Sequence, residues 1–365
     1  MTRAVIITNM PAVYRADLFN LLSENDKIDI SFLFVPEKNI LYKKMIWAER
    51  DNTFYLKTNV FEHNSILKKI HYLAHYLLTK KPNKLIIGGI PIYFPIIILL
   101  KPFLRYKVFC WWAGNIYTEK KNIFRKIYRK LSSSFIDGYF FYSEQSYKYF
   151  NEQIKNIKDN YRIIGNNTRI ITTECDHLIN SKNLEVKGWH NLVSVGFQDK
   201  PKNTKLLLDA LLILNKKGLE IKTYIIGDGP EMNNLYDYVD KIKLGNIYFL
   251  RDLPQEEVFN KLKESNIFIH PSYADRWPQV YNEAAICGIP ILISERAGVT
   301  NEYTKKYKNS VLFNPFNANE LASKIENIIL DKNLSLELGA FVKKVALEHD
   351  GTQVANDILK LLHLD

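Results

Sequence analysis

The sequence is poor in the features that mark secreted, membrane-spanning or metal-centred proteins. It has three cysteines in 365 residues, Cys110, Cys175 and Cys287, an odd number without metal-ligand spacing. Free thiols in a reducing cytoplasm are therefore expected rather than a disulfide framework. The longest apolar run, IPIYFPIIILL at residues 90–100, carries two prolines and is about half the length that crosses a bilayer. No spanning helix is expected there. The N-terminal MTRAVIITNMPAVYR reaches polar residues too early for a secretion signal and opens instead as a core strand. Low-complexity tracts, short repeats and clusters of His and Asp at ligand spacing are all absent, which excludes the disordered and solenoid classes and gives no sign of a metal site.

What is present points to two globular domains. The chain is longer than one hydrophobic core usually organises, and its 47% hydrophobic content is ample for two. Charge is distributed unequally between the halves. Residues 1–170 hold 27 Lys and Arg against 13 Asp and Glu, whereas residues 171–365 hold 23 against 26. The first half alone is thus expected to meet an anionic partner, either lipid headgroups or nucleic acid. Its densest piece is TEKKNIFRKIYRKLSSS, residues 118–134, where Ile123, Phe124, Ile127 and Leu131 recur at helical spacing among Lys120, Lys121, Arg125, Lys126, Arg129 and Lys130. That pattern predicts a basic amphipathic helix, lying either on an anionic membrane surface or packed with a solvated basic face.

Strand-like and helix-like segments alternate throughout. AVIIT, KIDISFLFV, KLIIGG, KVFCWW, GYFFYS and YRIIGN in the first half, and NLVSVG, KTYIIG, IYFL, NIFIH, ILIS and SVLF in the second, are short, apolar and β-rich. Apolar strands joined by crossover helices imply parallel sheets covered on both faces, hence an α/β protein of two doubly wound domains. We expect domains at residues 1–172 and 191–345, a polar linker at 173–190, and a C-terminal helical segment, 346–365, packing back toward the first domain.

Doubly wound sheets bind ligands at the carboxyl ends of their strands, where loops enter helix N-termini. In the second half the loop after KTYIIG is GDGPE, with Gly227 and Gly229 permitting a tight βα turn. The loop after NLVSVG carries Lys200, Lys202 and Lys205, which either neutralise a phosphate group or are simply solvated. The stretch HPSYADRWPQVYNEAAICGIP, residues 270–290, places Asp275 in a loop and Glu283 in the second turn of a helix that begins after Pro278 and ends at Gly288. Seven residues separate the two acids. On this reading His270, Asp275, Trp277, Glu283 and Lys202 lie on one rim of one sheet, with a helix N-terminus near Gly298.

These residues carry a resemblance. SVGFQDKPKNTKLLLDAL, IIGDGPE, FLRDLPQEEVFNKLKESNIFIHPS and YADRWPQVYNEAAICGIPILISERAGVTNEY, in that order and spacing, resemble the retaining glycosyltransferases of family 4. KNSVLFNP follows as in that family. The first half resembles it more loosely, through NMPAVYRADLF, VFCWWAGN, FFYSEQS and IIGNN. The resemblance implies a GT-B fold, two facing Rossmann-like domains with a cleft between, and a nucleotide-sugar donor, a UDP or GDP sugar, bound by the second half. It implies Asp275, Glu283 and Lys202 as the catalytic set: Glu283 on the ribose hydroxyls, Asp275 on a hydroxyl of the transferred sugar, and Lys202 on the departing diphosphate. Gly196, Lys200, Gly227, Gly229, Arg251, Leu253, His270, Trp277, Gln279, Val280 and Gly298 are its further donor-site candidates. Arg15, Asn115 and Glu144 are acceptor-side candidates, each with a structural alternative.

The departures from the family bear on its chemistry. Phe197 follows Gly196 where the family has Arg, so one leaving-group cation is missing, and Lys200 or Arg296 is the candidate substitute. The first acid is Asp275 rather than Glu. Trp277-Pro278 stands where the family often has Phe-Gly, and Pro278 offers no N–H. Trp112, Ala113, Gly114 and Asn115 occupy a stretch where the family often has a His. Implied as a whole is a metal-independent hexosyltransferase, cytoplasmic and peripheral on the inner face of the membrane, with no other cofactor. It would act on a saccharide acceptor, lipid-linked, in bacterial surface polysaccharide assembly such as lipopolysaccharide O-antigen, capsule or exopolysaccharide. A nucleotide-sugar epimerase of the same fold, a noncatalytic sugar-nucleotide binder and a nucleic-acid binder are the alternatives, the last unsupported by any nucleic-acid motif.

Overall fold

The computed structural model describes residues 1–9, 15–35, 58–61, 65–155, 157, 160–166, 190–251 and 253–362. The chain divides into two compact units, Met1–Arg169 with His349–Asp365, and Ile170–Glu348. Of the segment read as a linker, residues 173–190, all but His190 lies outside the described residues.

Unit 1 contains β1 (Thr2–Thr8), α1 (Ala16–Ser23), β2 (Ile28–Phe34), β3 (Thr58–Val60), α2 (Ile66–Lys80), β4 (Lys84–Gly88), α3 (Phe94–Leu104), β5 (Lys107–Trp112), α4 (Ile123–Ser133), β6 (Gly138–Phe141), α5 (Glu144–Ile154) and β7 (Tyr161–Ile163). Its seven strands run parallel in the order β3-β2-β1-β4-β5-β6-β7. Ala4, Val5, Ile6 and Ile7 of β1 are all buried, because a central parallel strand is covered on both faces. Each Val or Ile side chain buried so completely contributes about 1.5–3 kcal/mol. Strand β3, at the sheet edge and three residues long, is absent from the sequence reading. The helix expected across 118–134 is confined to α4, since the Asn122 side chain accepts from the Arg125 amide at 3.0 Å and caps it there.

Unit 2 contains β8 (His190–Val195), α6 (Thr204–Lys216), β9 (Ile221–Ile226), α7 (Met232–Ile242), β10 (Ile247–Leu250), α8 (Gln255–Lys263), β11 (Ile267–His270), α9 (Gln279–Ile286), β12 (Ile291–Ser294), α10 (Thr300–Thr304), α11 (Lys308–Val311), β13 (Leu312–Phe313), α12 (Ala318–Leu330) and α13 (Lys332–Glu348). Six parallel strands take the order β10-β9-β8-β11-β12-β13. The SVLF segment contributes only Leu312–Phe313, its first two residues closing a helical turn. The last helix, α14 (Gly351–Leu361), belongs to unit 1, where it packs on α1 and β7. In both sheets the strand order reverses beside the first strand, between β1 and β4 and between β8 and β11. Such a reversal opens a crevice at the carboxyl edge. No helix among the described residues is long and apolar enough to cross a membrane.

Candidate functional site

The carboxyl edge of unit 2 is a set of interlocked loops. Those after β8 and β9 bond backbone to backbone, the Gln198 amide to Asp228 O at 2.9 Å and the Glu231 amide to Gln198 O at 3.0 Å. A side chain has no room at this seam. A Cβ on Gly227, at φ +124°, would lie 2.2 Å from Gly196 O, and one on Gly229 would lie 2.3 Å from Gln198 O. The GDG sequence is thus demanded by close backbone approach. Asn203, in the left-handed region at φ 55°, sends its Nδ2 to Pro271 O at 3.1 Å and Pro315 O at 2.8 Å, while the Tyr273 amide donates to Pro201 O at 2.8 Å. These bonds bring the turn at Lys200–Lys202 against the loop after β11, so that Lys202 meets a residue 73 positions away.

That residue is Asp275, with which Lys202 forms an ion pair. The same oxygen, Oδ2, lies 3.2 Å from His270 Nε2, and Oδ1 accepts from the Arg276 amide at 2.8 Å. Burial by itself would raise the Asp275 pKa. The His270 hydrogen bond and the Lys202 ammonium outweigh it and hold the carboxyl well below the usual carboxylate range. His270 is buried, and burial followed by the Lys202 charge lowers its imidazole pKa despite Asp275. Both ring neighbours are acceptors, Asp275 Oδ2 and Val195 O, each at 3.2 Å. A neutral ring has one N–H to give. We assign it to Nε2, where the bond to the carboxylate is charge-assisted.

The protonation states have a measurable consequence. Because the folded pKa of His270 lies below its ordinary 6.5, the unfolded chain takes up a proton that the buried ring refuses. Stability from this source is fully present above pH 6.5 and is lost as pH falls below it toward the folded value. The depressed Asp275 acts in the same sense in a lower window, below its ordinary 3.8. His190, also lowered by burial, shares the upper window. Melting curves between pH 7.5 and 5.0 should therefore show a smaller loss of Tm in His270→Gln than in the wild type. Parallel curves would mean that His270 is not the titrating group.

The other sequence candidates take varied places. Glu283 sits in the second turn of α9, half-buried. Trp277 is buried, its Nε1 donating to Asn282 Oδ1 at 2.9 Å and its ring edge-on to Tyr303, so it packs inward and is not a surface for ligand. Val280 is buried beside it in α9, and Gln279 begins the helix. The Gly298 amide donates to Asp275 O at 3.0 Å, and the helix that follows it, α10, has five residues, so this glycine packs closely against the loop that carries Asp275. Lys200 is exposed on the short turn, whereas Lys205 is held by Asp209 at 2.9 Å. Arg296 stacks 4.5 Å over Phe316, Phe197 is half-buried, and Arg251 reaches Asp228 at 3.6 Å with Leu253 half-buried beyond it. In unit 1, Arg15 donates to Thr8 Oγ1 at 3.1 Å and Tyr142 OH at 2.6 Å at the carboxyl edge. Asn115 is buried, accepting from the Tyr117 and Thr118 amides at 3.0 Å, which makes it a turn-former. Glu144 opens α5 and pairs with Lys148 at 3.6 Å.

Sequence reasoning missed Gln198, Asn203 and Asn282. Gln198 is buried, with Nε2 on Gly196 O at 2.7 Å and Oε1 accepting from Thr204 Oγ1 at 2.6 Å. Asn282 accepts from both Trp277 and Tyr303, each at 2.9 Å. A polar residue flanked by apolar ones in a short helix, as in VYNEAA, is the one signal that points to Asn282.

Residues 178–345 match the family described as Glycosyl transferases group 1. Curated relatives include the N,N'-diacetylbacillosaminyl-diphospho-undecaprenol alpha-1,3-N-acetylgalactosaminyltransferase of Campylobacter jejuni subsp. jejuni serotype O:2, 25% identical over 138 residues, 38% of this chain and 36% of that protein. An uncharacterized glycosyltransferase of Methanocaldococcus jannaschii is 27% identical over 175 residues, 47% of this chain and 48% of its own. The chain thus matches less than half the length of these relatives. Among solved structures, Anabaena HepE in complex with UDP aligns over 100% of both chains with a TM-score of 0.77 at 16% identity. Sucrose-phosphate synthase from Thermosynechococcus elongatus aligns with a TM-score of 0.77 at 15% identity, over 100% of this chain and 98% of that one. At such identities the likeness establishes the fold. Residues 178–345 are thus similar to the glycosyl transferases group 1 family, on a chain whose fold is that of the GT-B glycosyltransferase structures.

Proposed function

We propose that the chain transfers a hexosyl group from a nucleotide-sugar donor to a saccharide acceptor, with retention of anomeric configuration and without a metal. The observation that carries this reading is the Lys202–Asp275–His270 cluster at the strand-order reversal of unit 2. An ammonium has three N–H donors, so Lys202 can keep its bond to Asp275 and still donate to the diphosphate that leaves. Asp275 then acts as a positioning residue for Lys202, its two oxygens being engaged by Lys202, His270 and the Arg276 amide. This assigns it a different task from gripping a sugar hydroxyl. Glu283 is the acceptor for the ribose hydroxyls. The HepE complexes, which contain UDP and UDP-glucose, favour a UDP sugar as the donor.

For the acceptor we propose a lipid-linked saccharide, in bacterial surface polysaccharide assembly on the inner face of the cytoplasmic membrane. Supporting this are the basic first half and α4, whose Ile123, Phe124, Ile127 and Leu131 are 50–77% exposed among its cations. The Campylobacter relative, by its name, acts on a diphospho-undecaprenol-linked saccharide.

A thermal-shift panel of UDP, GDP, dTDP and CMP sugars tests the donor. One nucleotide class, UDP by expectation, should raise Tm, by an amount that grows with the logarithm of ligand concentration over Kd, and Glu283→Ala should lose most of that gain. No shift with any sugar nucleotide, or an equal response of the variant, would remove the donor assignment. Donor binding without transfer to any acceptor would favour a noncatalytic binder, a reading to which Phe197 lends some support.

A further inference from the structure

Unit 1 holds a cavity of about 580 Å³ to which the donor reading gives no role. Asn9 follows β1, Val35 follows β2 and Gly88 ends β4, so it opens at the carboxyl edge where the first sheet's strand order reverses. Its volume lies inside the range of roughly 300–1,000 Å³ usual for small-molecule sites. The opposite wall is α4.

The lining divides by chemistry. Lys69 from α2 and Arg125 and Arg129 from α4 supply three cations, and no acidic side chain among the described residues lines the space. The three are not equivalent. Arg129 is buried, bonded to Glu119 at 2.5 Å and Gln153 at 3.0 Å, with its guanidinium 4.5 Å from the Trp112 ring centre. Its charge is therefore largely met. Arg125 is exposed and makes no ion pair among the described residues. Around it Ile66, Ile92 and Phe124 stand 46%, 67% and 77% exposed, an arrangement that keeps apolar surface in water unless something covers it. From Phe124 the apolar stripe continues along α4 through Ile127 and Leu131.

A cationic cavity with an apolar lip fits an amphiphile that carries phosphate at its head. We propose that this cavity binds the diphosphate and first isoprenoid units of a lipid-linked acceptor, with Arg125 and Lys69 on the anion and Ile92 and Phe124 under the start of the chain. Naming that ligand an acceptor rests on the transferase reading above. The binding chemistry does not.

Farnesyl diphosphate, kept below its micellar concentration, is the probe, titrated calorimetrically beside inorganic pyrophosphate, farnesol and UDP. It should bind saturably and more tightly than either pyrophosphate or farnesol. Arg125→Glu should weaken it about tenfold or more, the scale of one lost charge-assisted hydrogen bond. Phe124→Ser should weaken farnesyl diphosphate and leave pyrophosphate unchanged. Both positions are exposed, and an unchanged Tm will show that the variants fold. If pyrophosphate binds as tightly and ignores Phe124→Ser, the cavity is a plain phosphate site. If Arg125→Glu releases the protein from sedimenting phosphatidylglycerol vesicles while leaving farnesyl diphosphate binding intact, α4 is a headgroup-docking surface only. Either result overturns the proposal. UDP affinity should be the same in all variants. If the wild-type protein binds farnesyl diphosphate but not UDP, the transferase reading is removed and the cavity stays assigned, whereas a wild type that binds UDP but not farnesyl diphosphate does the reverse.

Discussion

Lys202→Met should lower turnover by about 100-fold or more, since removing one preorganised donor from a developing negative charge costs about 10²–10³ in kcat. The affinity for nucleotide sugar should fall much less, because the charge on the diphosphate grows as the glycosidic bond breaks. Asp275→Asn keeps the size of the side chain but removes the charge that holds the ammonium, and it leaves His270 facing an amide. If Asp275 works through Lys202, the double variant will be no slower than Lys202→Met alone. Initial rates at saturating donor, with dissociation constants from titration, settle the matter. Multiplicative losses would show that the acid acts independently, as a contact to the sugar, and would restore the role that the family resemblance implies for it.

Gly298→Ala should cost about 3 kcal/mol of stability, at the upper end of overpacking changes. An added Cβ would lie 1.6 Å from the carbonyl oxygen of Arg276, a backbone atom that cannot swing aside as a side-chain end does. Relief requires moving the loop that carries Asp275, which the Gly298 amide bonds at 3.0 Å and Ala297 meets in a β-bridge. Donor affinity should therefore drop together with stability. Gly245 is the control, because a Cβ there meets nothing within 4 Å. Its replacement by Ala should stay within about 0.5 kcal/mol of the wild type. Equal denaturation midpoints for the two variants would mean that the loops at 275–276 and 297–298 are not pressed together.

Much of the fold is legible locally. Runs such as AVIIT and NIFIH are uniformly apolar because their strands are covered on both faces, and the intervening 3.6-residue periodicity marks the crossover helices. Elements too short to show a period were not legible: β3 has three residues, and SVLF divides between a helical turn and two residues of strand. Position at the rim of unit 2 was legible for Lys202, His270 and Asp275, since each follows or ends an apolar strand. Their mutual bonds were not.

By itself the sequence determined two βα-alternating halves, a basic first half, and the loops at which ligand chemistry is placed, because each is a property of a short window of residues. Tertiary structure alone decided that Lys202 meets Asp275 and not solvent, that Gly298 is compelled by a neighbouring carbonyl, that Trp277 turns inward onto Asn282, and that the apolar stripe of α4 faces outward. These depend on which loops the parallel strand order sets side by side. In a doubly wound sheet, loops that become neighbours are separated in sequence by whole strand–helix units, and no local pattern records the distance between them.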